Sequence, residues 1–150
     1  MYIYDYGKDI NNKGENYMSQ PNPVTWFSIP SDDIEGAARF YEAAFGWDLL
    51  PVTKEFKSDF DYQVALNSQS DDDLVSLERG RLNGCLVKKQ TGITHPTVLI
   101  EVDDLDEAAR KVKQAGGLVV SEVIPMDSLS GEFFLAKDPD GNILEIFRNK

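Results

Sequence analysis

From Pro23 onward the apolar and polar positions alternate in a way that predicts short strands and two amphipathic helices. Val24-Thr25-Trp26-Phe27-Ser28-Ile29-Pro30 has the aromatic and β-branched content of a strand. Its period of two sends Val24, Trp26 and Ser28 to one face and Phe27 and Ile29 to the other. A helix follows, with Asp32 as the expected N-cap and Glu35 three residues on, a variant of the capping box. Ile34, Ala37, Ala38, Tyr41 and Phe45 form its apolar stripe, and Gly46 ends it. Strands are expected from Trp47 and over Tyr62–Leu66. After a polar insert at 68–73, the fourth strand falls on Asn83–Lys88 in preference to Leu74–Glu78.

The same order then recurs. Thr97–Val102 reads as a strand with Val98, Ile100 and Val102 on one face and Thr97, Leu99 and Glu101 on the other. Asp103 is the expected cap of a helix striped by Leu105, Ala108, Ala109, Val112 and Ala115 and closed by Gly116-Gly117. Asp32 to Arg39 lies over Asp103 to Arg110 without a gap, and Ala44 and Gly46 fall on Ala115 and Gly117. Strands are expected again at Leu118–Val120, Glu132–Ala136 and Ile143–Phe147, the last two joined by a tight Asp138-Pro139-Asp140-Gly141 turn. Agreement of caps, stripe and strand register makes this a true internal repeat, and it dictates the fold. The expectation is an α+β domain of two βαβββ modules, 23–90 and 95–148, within a single domain at 21–150.

Composition removes whole classes of function. One histidine, His95, and one cysteine, Cys85, exclude within one chain a three-histidine metal site, a thiolate zinc cage and an internal disulfide. A formal charge of −11 disfavours nucleic acid, whose phosphates demand clustered Lys and Arg, and favours cationic partners. No apolar run approaches the roughly 18 residues of a membrane span, so a cytoplasmic protein without membrane contact is expected. Asp71-Asp72-Asp73 lacks the spaced ligands and glycine of a calcium loop and reads as solvated.

Trp26 to Pro30, Phe40 to Trp47, Glu101 to Asp106 and Asp138 to Asn142 together resemble the glyoxalase/bleomycin-resistance/dioxygenase group, the vicinal oxygen chelate superfamily, over Pro23–Arg148. The resemblance implies modules whose mixed sheets curl around a cleft, and commonly a homodimer. It implies either a divalent-metal enzyme (isomerase, lyase, epimerase or dioxygenase) or a metal-free protein that sequesters antibiotics. In the metal enzymes one ligand comes from the first strand of each module, commonly histidine. A glutamate comes from the last strand, and a further ligand from the fourth.

By register the first two positions are Trp26 and Thr97, which are poor ligands because indole has no free lone pair and a neutral hydroxyl is a weak donor. The last is Glu145; the remaining one is Glu78, Gly84 or Cys85, depending on which segment is the fourth strand. Glu145 alternates with Ile143 and Phe147 and points into the cleft, as metal ligand, general base, cationic-group anchor or a carboxylate satisfied by local donors. The leading expectation is a small organic guest, cationic or aromatic, held without cofactor by Trp26, Ser28, Thr97, Leu99, Phe134 and Phe147. Phe133 is the other candidate for the aromatic wall. The rivals are a divalent-metal enzyme using Glu145, Glu78 and His95, and a packed, non-catalytic interaction module.

Residues 1–20 are turn-rich and aperiodic and read as an N-terminal extension. Lys13-Gly14-Glu15 can be back-translated to a purine-rich stretch like a bacterial ribosome-binding site a few nucleotides before the Met18 codon. Met18 is therefore the expected native start, with 1–17 a read-through leader. Intact-mass analysis of protein from its own cells should show a chain beginning there, and a mass that includes Met1 overturns the reading.

Overall fold

The computed structural model describes residues 21–51, 62–89, 92–126 and 129–150, so the expectations for 1–20 lie outside the described residues. The first module comprises β1 (Val24–Ser31), α1 (Ile34–Phe45), β2 (Asp48–Pro51), β3 (Tyr62–Leu66) and β4 (Gly84–Lys88). The second comprises β5 (Thr97–Glu101), α2 (Leu105–Gln114), β6 (Leu118–Val119), β7 (Ile124–Met126), β8 (Gly131–Lys137) and β9 (Ile143–Asn149). The fourth strand of module one is thus the Gly84 segment, and β7 is an addition that the periodicity did not predict. It is too short to show a period of its own, and its pairing with β8 defines it.

All described strands join one sheet in the order β2-β3-β4-β1-β5-β9-β8-β6, with β7 on β8. Each module pairs its first strand in parallel with its last, β1 with β4 and β5 with β9. The modules meet where β1 runs antiparallel to β5, as a local twofold axis requires. The result is a strongly curled mixed half-barrel.

Its two faces are filled separately, as the alternation requires. Inside the curl lie Trp26, Val64, Cys85, Leu99, Phe133, Leu135 and Phe147, all buried. On the outer face of module two, Val102, Leu105, Phe134, Ala136 and Ile146 pack with Ala108 and Val112 of α2. Phe134 is therefore not a cleft residue: one step of register puts Phe133 inside and Phe134 under the helix.

Both helices begin one residue later than expected. Asp33 and Asp104, in extended backbone, accept the amides of Gly36 at 3.0 Å and Glu107 at 2.8 Å. That is the N-cap arrangement, and Asp32 and Asp103 lie one residue too early to make it. Gly46 closes α1 in the left-handed conformation at φ 67°, as Gly at this position allows without steric penalty.

Close approach fixes Gly84. It pairs with Phe27 across β1 and β4, and a methyl there would collide with the Phe27 carbonyl and ring. Gly84→Ala should destabilise the domain by about 1–3 kcal/mol, the usual cost of overpacking, measured by urea unfolding.

Candidate functional site

The junction of the modules gathers the polar groups of the interior. Ser28 and Thr97 are direct partners across β1 and β5, and Glu145 sits beside Leu99 on β9. The Ser28 hydroxyl donates to Glu145 Oε2 at 2.8 Å and the Thr97 hydroxyl donates to the same oxygen at 2.7 Å. Cys85 Sγ lies 3.4 Å from Ser28 Oγ. With the serine proton committed to the carboxylate, the thiol is the donor in that contact.

Glu145 is only 2% exposed, and burial raises its pKa above the ordinary carboxylate range, while the Thr97 and Ser28 hydroxyls pull it partly back. Burial, and then the neighbouring charge of Glu145, push the Cys85 thiol up to about 12, which leaves it protonated and unreactive. The Trp26 indole N–H has no hydrogen-bond partner of good geometry among the described residues. It lies near enough to the Cys85 sulfur to favour the thiolate slightly, against those larger effects.

The internal repeat also settles the fourth family position. Ser28 pairs with Cys85 as Leu99 pairs with Glu145, so Cys85 is the counterpart of Glu145. Glu78 is excluded from this centre. It lies on an exposed loop and binds Arg81 at 2.9 Å. His95 is excluded as well: it is exposed ahead of β5, with Nδ1 3.0 Å from Thr94 Oγ1.

A divalent ion at this centre would be offered an indole, a hydroxyl already spent on Glu145, a high-pKa thiol and one carboxylate. That set does not fit a divalent metal. Among the described residues no three His, Cys, Asp or Glu side chains converge as a metal site.

Beside the centre, toward the start of β1 and the ends of β5 and β9, opens a cavity of about 800 Å³. Trp26, Val64, Leu99 and Phe147 wall it on the sheet, with Leu50 and Pro51 at one side. Ser28, Thr97, Glu145, Phe133 and Phe134 do not line it. Of the residues expected to hold a guest, the structure brings Trp26, Leu99 and Phe147 together around one space. Ser28 and Thr97 serve the carboxylate behind that wall.

The opposite wall is the loop after β3, including Asp72, Asp73, Leu74 and Arg81. Sequence reasoning missed this wall because Asp71–Asp73 read as a solvated loop and Leu74–Glu78 as an alternative strand, not as a loop folded over the sheet. The loop is held from within: Asn83 Nδ2 donates to Ser70 Oγ at 2.6 Å and to the Leu74 carbonyl at 2.8 Å, and Asp71 Oδ1 accepts the Val75 amide at 2.9 Å. Leu74 adopts φ 63°, which is unusual for a residue with a side chain, and packs against the interior cluster. Three aspartates running directly into Leu74 and Val75 were the available signal.

The buried carboxylate generates two measurements. A raised native pKa means that the contribution of Glu145 to stability is present below its unfolded value, about pH 4, and is lost as pH rises through the folded value. Glu145→Gln should therefore gain stability relative to the parent at neutral pH, and that difference should shrink toward about pH 4 in chemical unfolding. Thr97→Val removes one donor and should cost about 1–3 kcal/mol, more at neutral than at acid pH.

Comparison with known proteins relates the chain and its fold to others. The chain is 26% identical over 118 residues to a probable lactoylglutathione lyase of Vibrio cholerae, covering 79% of this chain and 84% of that one. It is 26% identical over 121 residues to the probable chloroplastic lactoylglutathione lyase of Arabidopsis thaliana, covering 81% of this chain. It spans only 34% of that plant protein's length. Methylmalonyl-CoA epimerase from Mycobacterium tuberculosis shares the fold with a TM-score of 0.59 at 14% identity, over 89% of this chain and 92% of that one. The sequence profile of the family matches residues 24–146, the whole span from β1 into β9. The chain belongs to the Glyoxalase/Bleomycin resistance protein/Dioxygenase superfamily.

Proposed function

We propose that this protein binds a small organic molecule in the cavity between the modules without a metal. The observation that carries this reading is an 800 Å³ space walled by Trp26, Leu99 and Phe147, next to a centre whose polar groups satisfy one another. That volume lies within the usual range of small-molecule sites, about 300–1,000 Å³. An aromatic guest can lie against Trp26 and Phe147, with offset-stacked or edge contacts contributing about 0.5–1.5 kcal/mol each beyond burial.

Charge at the mouth selects the guest. Asp72, Asp73 and Glu101 line it against Arg81 and Lys150. Arg81 is already paired with Glu78, and Lys150 stands 3.9 Å from Glu132. With a chain charge of −11, the favoured guest is a flat cation. Glu145 supports the site from behind. It is not the anchor, because its Oε2 is occupied by two hydroxyls and it does not line the cavity.

Titration with the cationic aromatic dye proflavine should show saturable binding that a chelator leaves unchanged. Asp72→Asn with Asp73→Asn should weaken it by about three- to tenfold, the worth of two exposed charges. Leu74→Arg should abolish it by filling the space. Dye binding that requires a divalent ion overturns the proposal. So does metal-stimulated formation of lactoylglutathione from methylglyoxal and glutathione, the reading suggested by the names of the bacterial and plant relatives.

A further inference from the structure

The inner face of the second module carries two carboxylates in very different settings. On the parallel pair β5 and β9, Leu99 lies beside Glu145, and one inward step further along Glu101 lies beside Phe147. Asn149 is the next inward position of β9. Glu145 is sealed from water and spends one oxygen on two hydroxyls. Glu101 is half-buried and lines the cavity, where Asn149 Nδ2 donates to its Oε1 at 2.7 Å. Among the described residues that is the one side-chain hydrogen bond Glu101 accepts, and no cation pairs with it. Lys150, which follows Asn149 at the same mouth, stands 3.9 Å from Glu132 instead.

Glu101 also differs from the other acids at the mouth. Asp72 and Asp73 are exposed on the loop after β3. Glu101 stands on the sheet itself, with its amide bonded to the Pro23 carbonyl at 2.9 Å and the ring of Phe147 on the neighbouring strand. Close by, the ladder of β1 with β5 slips by one residue between Val24 and Trp26, and Thr25 also lines the cavity. Bulges of this kind are frequent beside functional sites, where they re-aim side chains. An ion pair would neutralise the carboxylate. A neutral amide holds it in place and leaves its full charge for a further donor.

We infer that Glu101, oriented by Asn149, anchors the guest and selects flat cations that carry N–H donors at their charged edge. Amidinium, guanidinium and amino-substituted aromatic cations meet that requirement, and cations whose exocyclic nitrogens are fully alkylated do not. The inference rests on the metal-free binding proposed above and names the polar contact that reading lacks. Neighbouring strands are about 4.8 Å apart, so a ring lying against Phe147 brings its edge to the carboxylate beside it. An N–H donor there forms a charge-assisted hydrogen bond with the open oxygen. An alkylated nitrogen feels only the charge, which water and salt weaken at a cavity mouth.

Proflavine and acridine orange test this on the full chain. They share a ring system and a charge, but methyl groups replace the amino hydrogens in acridine orange. In fluorescence titrations Glu101→Gln should weaken proflavine about tenfold and acridine orange about threefold at most. Asn149→Ala frees the carboxylate without removing its charge, so it should weaken proflavine about threefold and leave acridine orange unchanged. The pair Asp72→Asn with Asp73→Asn, which alters only the field at the mouth, should weaken both dyes alike. Each variant should unfold at the parent's temperature. If Glu101→Gln weakens both dyes equally, or neither, the inference falls and the cavity reading stands. If the parent binds neither dye, the cavity reading falls and this inference falls with it.

Discussion

The antiparallel pairing of β1 with β5 is the contact from which the rest of the interior follows. It is the only place where the two modules share a described strand ladder, and it lays Ser28 against Thr97 at the middle of the sheet. Parallel pairing of β5 with β9 then fixes Glu145 beside Leu99, within reach of both hydroxyls. A carboxylate removed from water is costly unless donors compensate it. Two hydroxyls on one oxygen compensate in part, and the carboxyl stays raised above its ordinary range because burial outweighs them.

The same geometry explains why a family fold that can hold a metal does not offer one a site here. Four positions converge by symmetry at the junction, and they carry Trp26, Thr97, Cys85 and Glu145. Each lacks something a hard or borderline cation needs: lone pair, charge, accessible thiolate, or company. The polar groups that remain are engaged with one another, and the apolar ring of Trp26 separates them from the cavity that a guest would enter.

The fold was legible because it is written twice. Matching caps, stripes and glycines in two modules leave few topologies, and the alternation in β1, β5 and β9 assigned Trp26, Leu99, Glu145 and Phe147 to the inner face correctly. A period of two cannot locate a strand end, so it did not decide between Phe133 and Phe134. The inner wall of the cavity was therefore readable, but its outer wall was not. Side-chain hydrogen bonds involving Asn83 and Asp71 build the 71–76 loop, and a left-handed Leu74 turns an apolar group inward from a segment that local pattern reads as a polar insert running into a possible strand.

Duplication also allows divergence, because one module can keep a structural role that the other gives up. Module two retains the carboxylate at the junction and a helix with an ion-paired outer side. Module one has a thiol in place of the carboxylate and an aromatic patch in place of the ion pairs. A protonated thiol stabilises the core as a small apolar group and places no second charge beside Glu145, so the junction stays closer to neutral. On α1 the rings of Phe40, Tyr41 and Phe45 pack on one another where α2 pairs charges, so the two modules steady equivalent helices by different interactions.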